Sequence, residues 1–203
     1  MATYNRKDTY YRQAKAKGLP SRASFKIIEI IEKYRVIRPG MTVVDLGAAP
    51  GGWLQVLSQV VGPSGQVVGI DSKEIKDVLS PNVTFIQGDI RDNQTRQRLL
   101  SELGRKVEMV VSDLAPHTTG IAFQESFLSA ELVREALEIC KLVLKENGIF
   151  LAKVYSGSET PELRNTLQDY FLKVQGVYPK ASRQGSKEAY LLCHSFKSRR
   201  AAA

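Results

Sequence analysis

The chain has 203 residues, 43% hydrophobic and 25% charged, with a net charge of +8. That length and balance fit one domain with a full core and exclude a disordered or fibrous chain. No apolar run approaches the roughly 18 residues of a membrane helix, and the polar N-terminus lacks the apolar stretch of a secretory signal, so a cytoplasmic location is expected.

The charge is unevenly spread: residues 1–38 carry a net +7, residues 39–179 a net −4 and residues 180–203 a net +5. If the two ends meet, a mildly acidic body gains one positive face suited to a polyanion. Cys140 and Cys193 sit in apolar surroundings and are expected to be buried, reduced thiols. Metal-ligand spacing is missing, so no metal is expected.

Residues 1–20 read as irregular, with Tyr4, Tyr10 and Tyr11 among Arg6, Lys7, Arg12, Lys15 and Lys17. Aromatic faces among basic groups can stack bases while the charges hold phosphates. Ser21 is placed to cap a helix reaching about Tyr34, and Arg38-Pro39-Gly40 breaks it. Strand and helix then alternate. The predicted strands are Thr42–Leu46, Gln66–Ile70, Val83–Gln87, Val107–Ser112, Gly148–Val154, Val174–Tyr178 and Ala189–His194. The predicted helices are Gly52–Val61, Asp92–Leu103, Glu125–Leu144 and Thr160–Phe171, the last with Pro161 in its first turn. This alternation predicts an open α/β sheet of seven strands, mostly parallel, with one of the final two antiparallel.

Ligands of such sheets bind beyond the carboxyl ends of the strands. The first strand ends in Asp45-Leu46-Gly47-Ala48-Ala49-Pro50-Gly51-Gly52-Trp53. Ala49 and Pro50 stand where a dinucleotide fingerprint needs its second glycine. A carboxylate at the mouth of a glycine turn repels phosphate and suits an ammonium or sulfonium ligand, and S-adenosylmethionine is the common cofactor that fits. Asp71, 24 residues beyond Gly47, is placed to accept from ribose hydroxyls; Asp89, with Ile90 beside it, is placed for an adenine amino group. Asp113 closes the fourth strand. Each acid alone could equally close its strand as an Asx turn. Lys153 lies within the apolar strand Phe150–Val154, where lysine is uncommon. Its stem could simply snorkel to solvent. Alternatively it is functional: desolvation weakens a buried amine's hold on its proton, a condition that suits a general base.

Asp45–Trp53, Ser112-Asp113-Leu114-Ala115-Pro116, Lys153, the Ser21–Lys26 helix start and the Ser182–Tyr190 tail together resemble the FtsJ/RrmJ (RlmE) family of ribosomal RNA 2′-O-methyltransferases. The resemblance implies a single Rossmann-like class I methyltransferase domain over residues 21–196. Residues 1–20 would be a basic RNA-binding segment, and 197–203 a basic tail or cloning remnant. It implies a catalytic Lys-Asp-Lys-Glu tetrad at Lys26, Asp113, Lys153 and Glu188. The donor would be S-adenosylmethionine, held by Asp45, Gly47, Ala48, Pro50, Gly51, Gly52, Trp53, Asp71, Asp89, Ile90 and Asp113. The substrate would be one uridine ribose in the A-loop of large-subunit rRNA, reached on the assembled 50S particle by a monomeric enzyme. His117-Thr118-Thr119-Gly120 departs from the small polar residues expected there.

On this reading Lys153 takes the hydroxyl proton, Asp113 orients its amine and Glu188 holds Lys26. The expected RNA contacts are Arg6, Lys7, Tyr10, Arg12, Lys15, Lys17, Arg22, Arg183 and Lys187. The alternatives are a cap or tRNA ribose methyltransferase with the same tetrad, and a catalytically silent RNA-binding assembly factor. A small-molecule methyltransferase has less use for two basic ends.

Overall fold

A computed structural model describes residues 23–77, 79–116, 120–182 and 186–198. Helix α1 (Ala23–Tyr34) leads into β1 (Thr42–Leu46), α2 (Gly52–Val61), β2 (Gln66–Asp71), β3 (Val83–Gln87), α3 (Asn93–Leu103) and β4 (Val107–Ser112). Helix α4 (Ala122–Val143), β5 (Leu144–Tyr155), α5 (Thr160–Tyr170), β6 (Phe171–Val177) and β7 (Glu188–Phe196) complete the order. The seven strands form one sheet in the order β3-β2-β1-β4-β5-β7-β6. The first five pair in parallel, and β7 runs antiparallel to both β5 and β6.

The inner strands are buried on both faces, which is why β1 and β4 read as nearly continuous apolar runs. Alternation divides their side chains between two cores. Val43, Met109, Val111, Leu151, Tyr190 and Leu192 pack with Ile27 and Ile30 of α1 and with Leu54 and Leu57 of α2. Val44, Val110, Phe150, Ala152 and Cys193 pack with Leu99 of α3, Val133 and Leu137 of α4, and Leu163 and Leu167 of α5. The result is a three-layer α/β domain, and the carboxyl ends of its strands form the edge where sheets of this kind bind ligands.

Local signals set most boundaries. Asp92 caps α3 by accepting from the Thr95 backbone N–H, and Gly104 at φ +58° ends it. The observed limits differ from expectation by three or more residues in three places, and by one or two at several other ends. Helix α4 starts at Ala122, three residues before Glu125. Strand β5 starts at Leu144 because Lys145-Glu146-Asn147 bulge out, exposed, between the Val107↔Leu144 and Met109↔Ile149 pairs. Strand β6 starts at Phe171, whose buried ring stacks on Phe150 at 6.0 Å and meets Phe196 at 5.3 Å; that packing takes it from the helix. Cys140 and Cys193 are both free and buried, and burial pushes both thiols up. Among the described residues, no helix is long and apolar enough to cross a membrane.

Candidate active site

The turn after β1 is built for close approach. Gly47 has φ +81°, and a Cβ there would stand 3.0 Å from the Leu114 nitrogen and 3.1 Å from its Cδ2. The Gly47 and Ala48 amides donate to the Ile70 carbonyl at 2.9 and 3.2 Å, tying the turn to β2. Gly51, at φ +103°, begins α2. Gly47→Ala is therefore expected to lower stability by about 2 kcal/mol, from left-handed strain plus the Leu114 contact. Denaturant unfolding checks this.

Asp45 is not at the mouth, as its place beside the glycine turn had suggested. It lies one residue inside the strand end, paired with Gly69 and Val111, and is fully buried. Neither carboxylate oxygen has a hydrogen-bond partner among the described residues. Burial holds its carboxyl well above the usual range, and the neighbouring charges of Asp113 and Asp71 push the same way. Natural folds rarely leave a buried polar group unmatched, so such a carboxylate fits a donor-rich, cationic ligand.

Two lysine–carboxylate pairs stand on the same face of the sheet. Lys153 Nζ lies 2.5 Å from the Asp113 carbonyl and 3.1 Å from its Oδ1. Lys26 Nζ lies 2.6 Å from Glu188 Oε1 and 2.8 Å from Oε2. All four side chains are less than one-fifth exposed. Lys26 owes its place to the docking of α1: Ser24 Oγ donates to the Gly52 carbonyl, the Trp53 indole N–H to the Ala23 carbonyl, and the Lys180 and Ala181 amides to Glu29. Ser182 Oγ donates to Glu188 Oε1 at 3.0 Å. Such pairs are stable when buried only because each charge meets its opposite and further hydrogen bonds.

Tyr190 belongs to this cluster, although sequence reasoning gave it no role. Its hydroxyl donates to Asp113 Oδ1 at 2.7 Å, and its ring stacks on Trp53 at 5.9 Å. It faces Lys153 across the β5–β7 ladder. Burial, with Asp113 and Glu188 nearby, holds its phenol well above the ordinary value, so it remains a donor. The available sequence signal was its spacing, two residues after Glu188 and so on the same strand face.

The candidate donor-binding residues fall into two groups. Asp71, Asp89 and Ile90 line a cavity of about 530 Å³ with Ile70, Leu114 and Pro116. Within it, Asp71 braces the turn by accepting from the Ala49 and Lys73 amides, the Asx-type role foreseen as its alternative. Asp89 is paired with Arg91 at 2.6 Å, and that contact holds its carboxyl below the usual range. Trp53 is nearly inaccessible and supports Tyr190 and α1 from behind. Of the expected RNA contacts, only Lys187 is within the described residues, where it is exposed. Arg6, Lys7, Tyr10, Arg12, Lys15, Lys17, Arg22 and Arg183 lie outside them, as do Ser21 and His117.

The FtsJ-like methyltransferase family model matches residues 19–196. The chain is 41% identical over 191 residues to the ribosomal RNA large subunit methyltransferase E of Pseudomonas aeruginosa, covering 94% of this chain and 91% of that one. The protein of the same name from Alkalilimnicola ehrlichii is 44% identical over 190 residues, covering 93% and 90%. A crystal structure described as a ribosomal RNA methyltransferase from Plasmodium falciparum aligns with a TM-score of 0.77 at 29% identity, over 87% of this chain and 97% of that one. With a match that runs from the residues before α1 to the end of β7, this chain belongs to the FtsJ-like methyltransferase family.

Proposed function

We propose that the protein uses S-adenosylmethionine to methylate the 2′-hydroxyl of one uridine ribose in large-subunit rRNA, with the assembled 50S particle as substrate. The observation that carries this reading is the pair of lysine–carboxylate contacts, Lys153–Asp113 and Lys26–Glu188, on the sheet face that also holds Asp45, whose carboxylate has no hydrogen-bond partner among the described residues. A substrate that is ribosomal RNA accords with the names of the relatives and with the basic ends of the chain.

The unmatched Asp45 and the bare glycine turn fit the cationic amino-acid end of S-adenosylmethionine, and the cavity beside Asp71, Asp89 and Ile90 fits its nucleoside. The cofactor supplies a methyl group already activated on a sulfonium. The chain must hold that group with Asp45, Gly47, Ala48, Pro50, Gly51, Gly52 and Asp113, and prepare the hydroxyl. A ribose hydroxyl is a poor nucleophile until its proton leaves. As a free amine, Lys153 has two hydrogens for its two acceptors, the Asp113 carbonyl and carboxylate, which leaves its lone pair for the hydroxyl proton. On taking that proton Nζ becomes an ammonium beside the Asp113 carboxylate, which stabilises the new charge. Tyr190 fixes that carboxylate by donating to it. Lys26, held by Glu188, adds positive charge near the developing oxyanion. The four charges form one coupled set.

The test is transfer of a tritiated methyl group to large-subunit particles from cells lacking the protein, followed by mapping of the modified nucleotide. One 2′-O-methyluridine in the A-loop is expected. A methyl group on a base, or no transfer to particles or to free rRNA, would contradict the reading.

A further inference from the structure

Four side chains form a square on the α1/α2 face of the sheet. Lys153 and Tyr155 alternate along β5, Glu188 and Tyr190 along β7, and the ladder pairs Lys153 with Tyr190 and Tyr155 with Glu188. Three corners are engaged by the contacts above. The fourth, Tyr155, is half-buried, and its phenol hydroxyl has no hydrogen-bond partner among the described residues. It lies two residues beyond Lys153 toward the strand's carboxyl end, about 7 Å further along at the usual rise. Ligands of such sheets lie beyond that end of the strands.

The main chain beneath this ring is pinned. Ser126 Oγ donates to the Tyr155 carbonyl at 3.2 Å, and the Tyr155 amide donates to Ser129 Oγ at 3.0 Å; both serines are buried on α4. At Gly157 a Cβ would come within 2.2 Å of Ser126 Oγ, so the turn that follows lies hard against the same helix. A partly exposed aromatic ring on a fixed backbone, beside a catalytic cluster, is a preorganised platform. Burial, and after it the carboxylates of Glu188, Asp113 and Glu125, raises its phenol above the ordinary value, so the hydroxyl keeps its proton. Glu188 and Asp113 are already paired with Lys26 and Lys153, so what the ring itself offers is an uncharged aromatic face, which suits the neutral parts of a nucleotide, the sugar and the base.

We propose that Tyr155 is the wall of the acceptor-nucleotide subsite, its ring packing against the target nucleotide so that the 2′-hydroxyl is held over Lys153. This rests on the ribose-methylation reading. Base–aromatic packing of this kind is typically responsible for about 10- to 100-fold in affinity per ring.

The experiment compares wild type with Tyr155→Ala, Tyr155→Leu and Tyr155→Phe on large-subunit particles, measuring kcat, KM and donor affinity. The leucine variant keeps an apolar side chain of intermediate size while removing the aromatic face. Alanine and leucine are expected to raise KM for the particle about 10- to 100-fold, with donor affinity within about twofold of wild type. Phenylalanine should stay within about threefold. The ratio of variant to wild-type KM should hold constant as salt rises, because no phosphate contact is lost. Unchanged KM in both alanine and leucine variants overturns the proposal, as does an equal loss in phenylalanine or a ratio that shrinks with salt. If wild type methylates no ribose, the underlying reading fails and the proposal falls with it. Ribose methylation that is indifferent to Tyr155 sinks the proposal alone.

Discussion

Lys153→Met is expected to lower the single-turnover rate of methyl transfer about 1,000-fold while leaving S-adenosylmethionine affinity within about threefold. Methionine fills the same volume in β5 and removes only the amine. General bases contribute about 100- to 10,000-fold, and about 1,000-fold is the middle of that range. Lys153→Arg is expected to fail nearly as badly, since a guanidinium stays protonated at any working pH and its fork does not match the carbonyl and carboxylate of one residue. Rapid-quench transfer assays with calorimetric donor binding separate chemistry from affinity. Retention of more than one-tenth of the wild-type rate by either variant would remove Lys153 from the role of base.

Asp45→Asn is expected to have two opposite effects. It should weaken donor binding at least 10-fold, because the buried carboxylate is the group that would receive a cationic ligand. It should also stabilise the ligand-free protein by about 1–2 kcal/mol at pH 8, or a few degrees in Tm, because an unmatched buried charge among acidic neighbours is costly.

The sign of the pH dependence follows from the direction of the shift. The folded carboxyl binds its proton more tightly than the unfolded one. Wild-type stability should therefore fall as pH rises from about 4, the unfolded value, through the raised folded value, then level off. The asparagine variant lacks this loss, so the Tm difference between the two should widen with pH across that window. Donor affinity of wild type should rise over the same window as the carboxylate ionises. A destabilised asparagine variant, or a Tm difference independent of pH, would contradict this account of Asp45. The trade is of the kind found where a site is kept ready for a ligand at the expense of the empty fold.

Much of this was legible along the chain. The strand limits of β1, β3 and β4 and the full extent of α2 follow from apolar runs bounded by glycine, proline and aspartate, which act over a few residues. The early start of β6 at Phe171 was not legible, because the ring is drawn into the sheet by Phe150 and Phe196, which are distant in sequence. The proposed catalytic quartet rests on family resemblance; periodicity and spacing had flagged only Asp113 and Lys153. Tyr190 and Tyr155 went unassigned because their importance comes from pairing with Lys153 and Glu188 across the ladder.

By itself, then, the sequence determined the class of fold, the glycine turn and the identity of the charged groups at the strand ends, since each depends on neighbours a few positions away. The tertiary structure decided which charges meet. Lys26 finds Glu188 across 162 residues because α1 packs on α2 while β7 inserts between β5 and β6. It also decided that Asp45 is sealed with no hydrogen-bond partner among the described residues rather than exposed at a rim. Burial and pairing are properties of strand order and layer packing, and no local stretch of the chain encodes them.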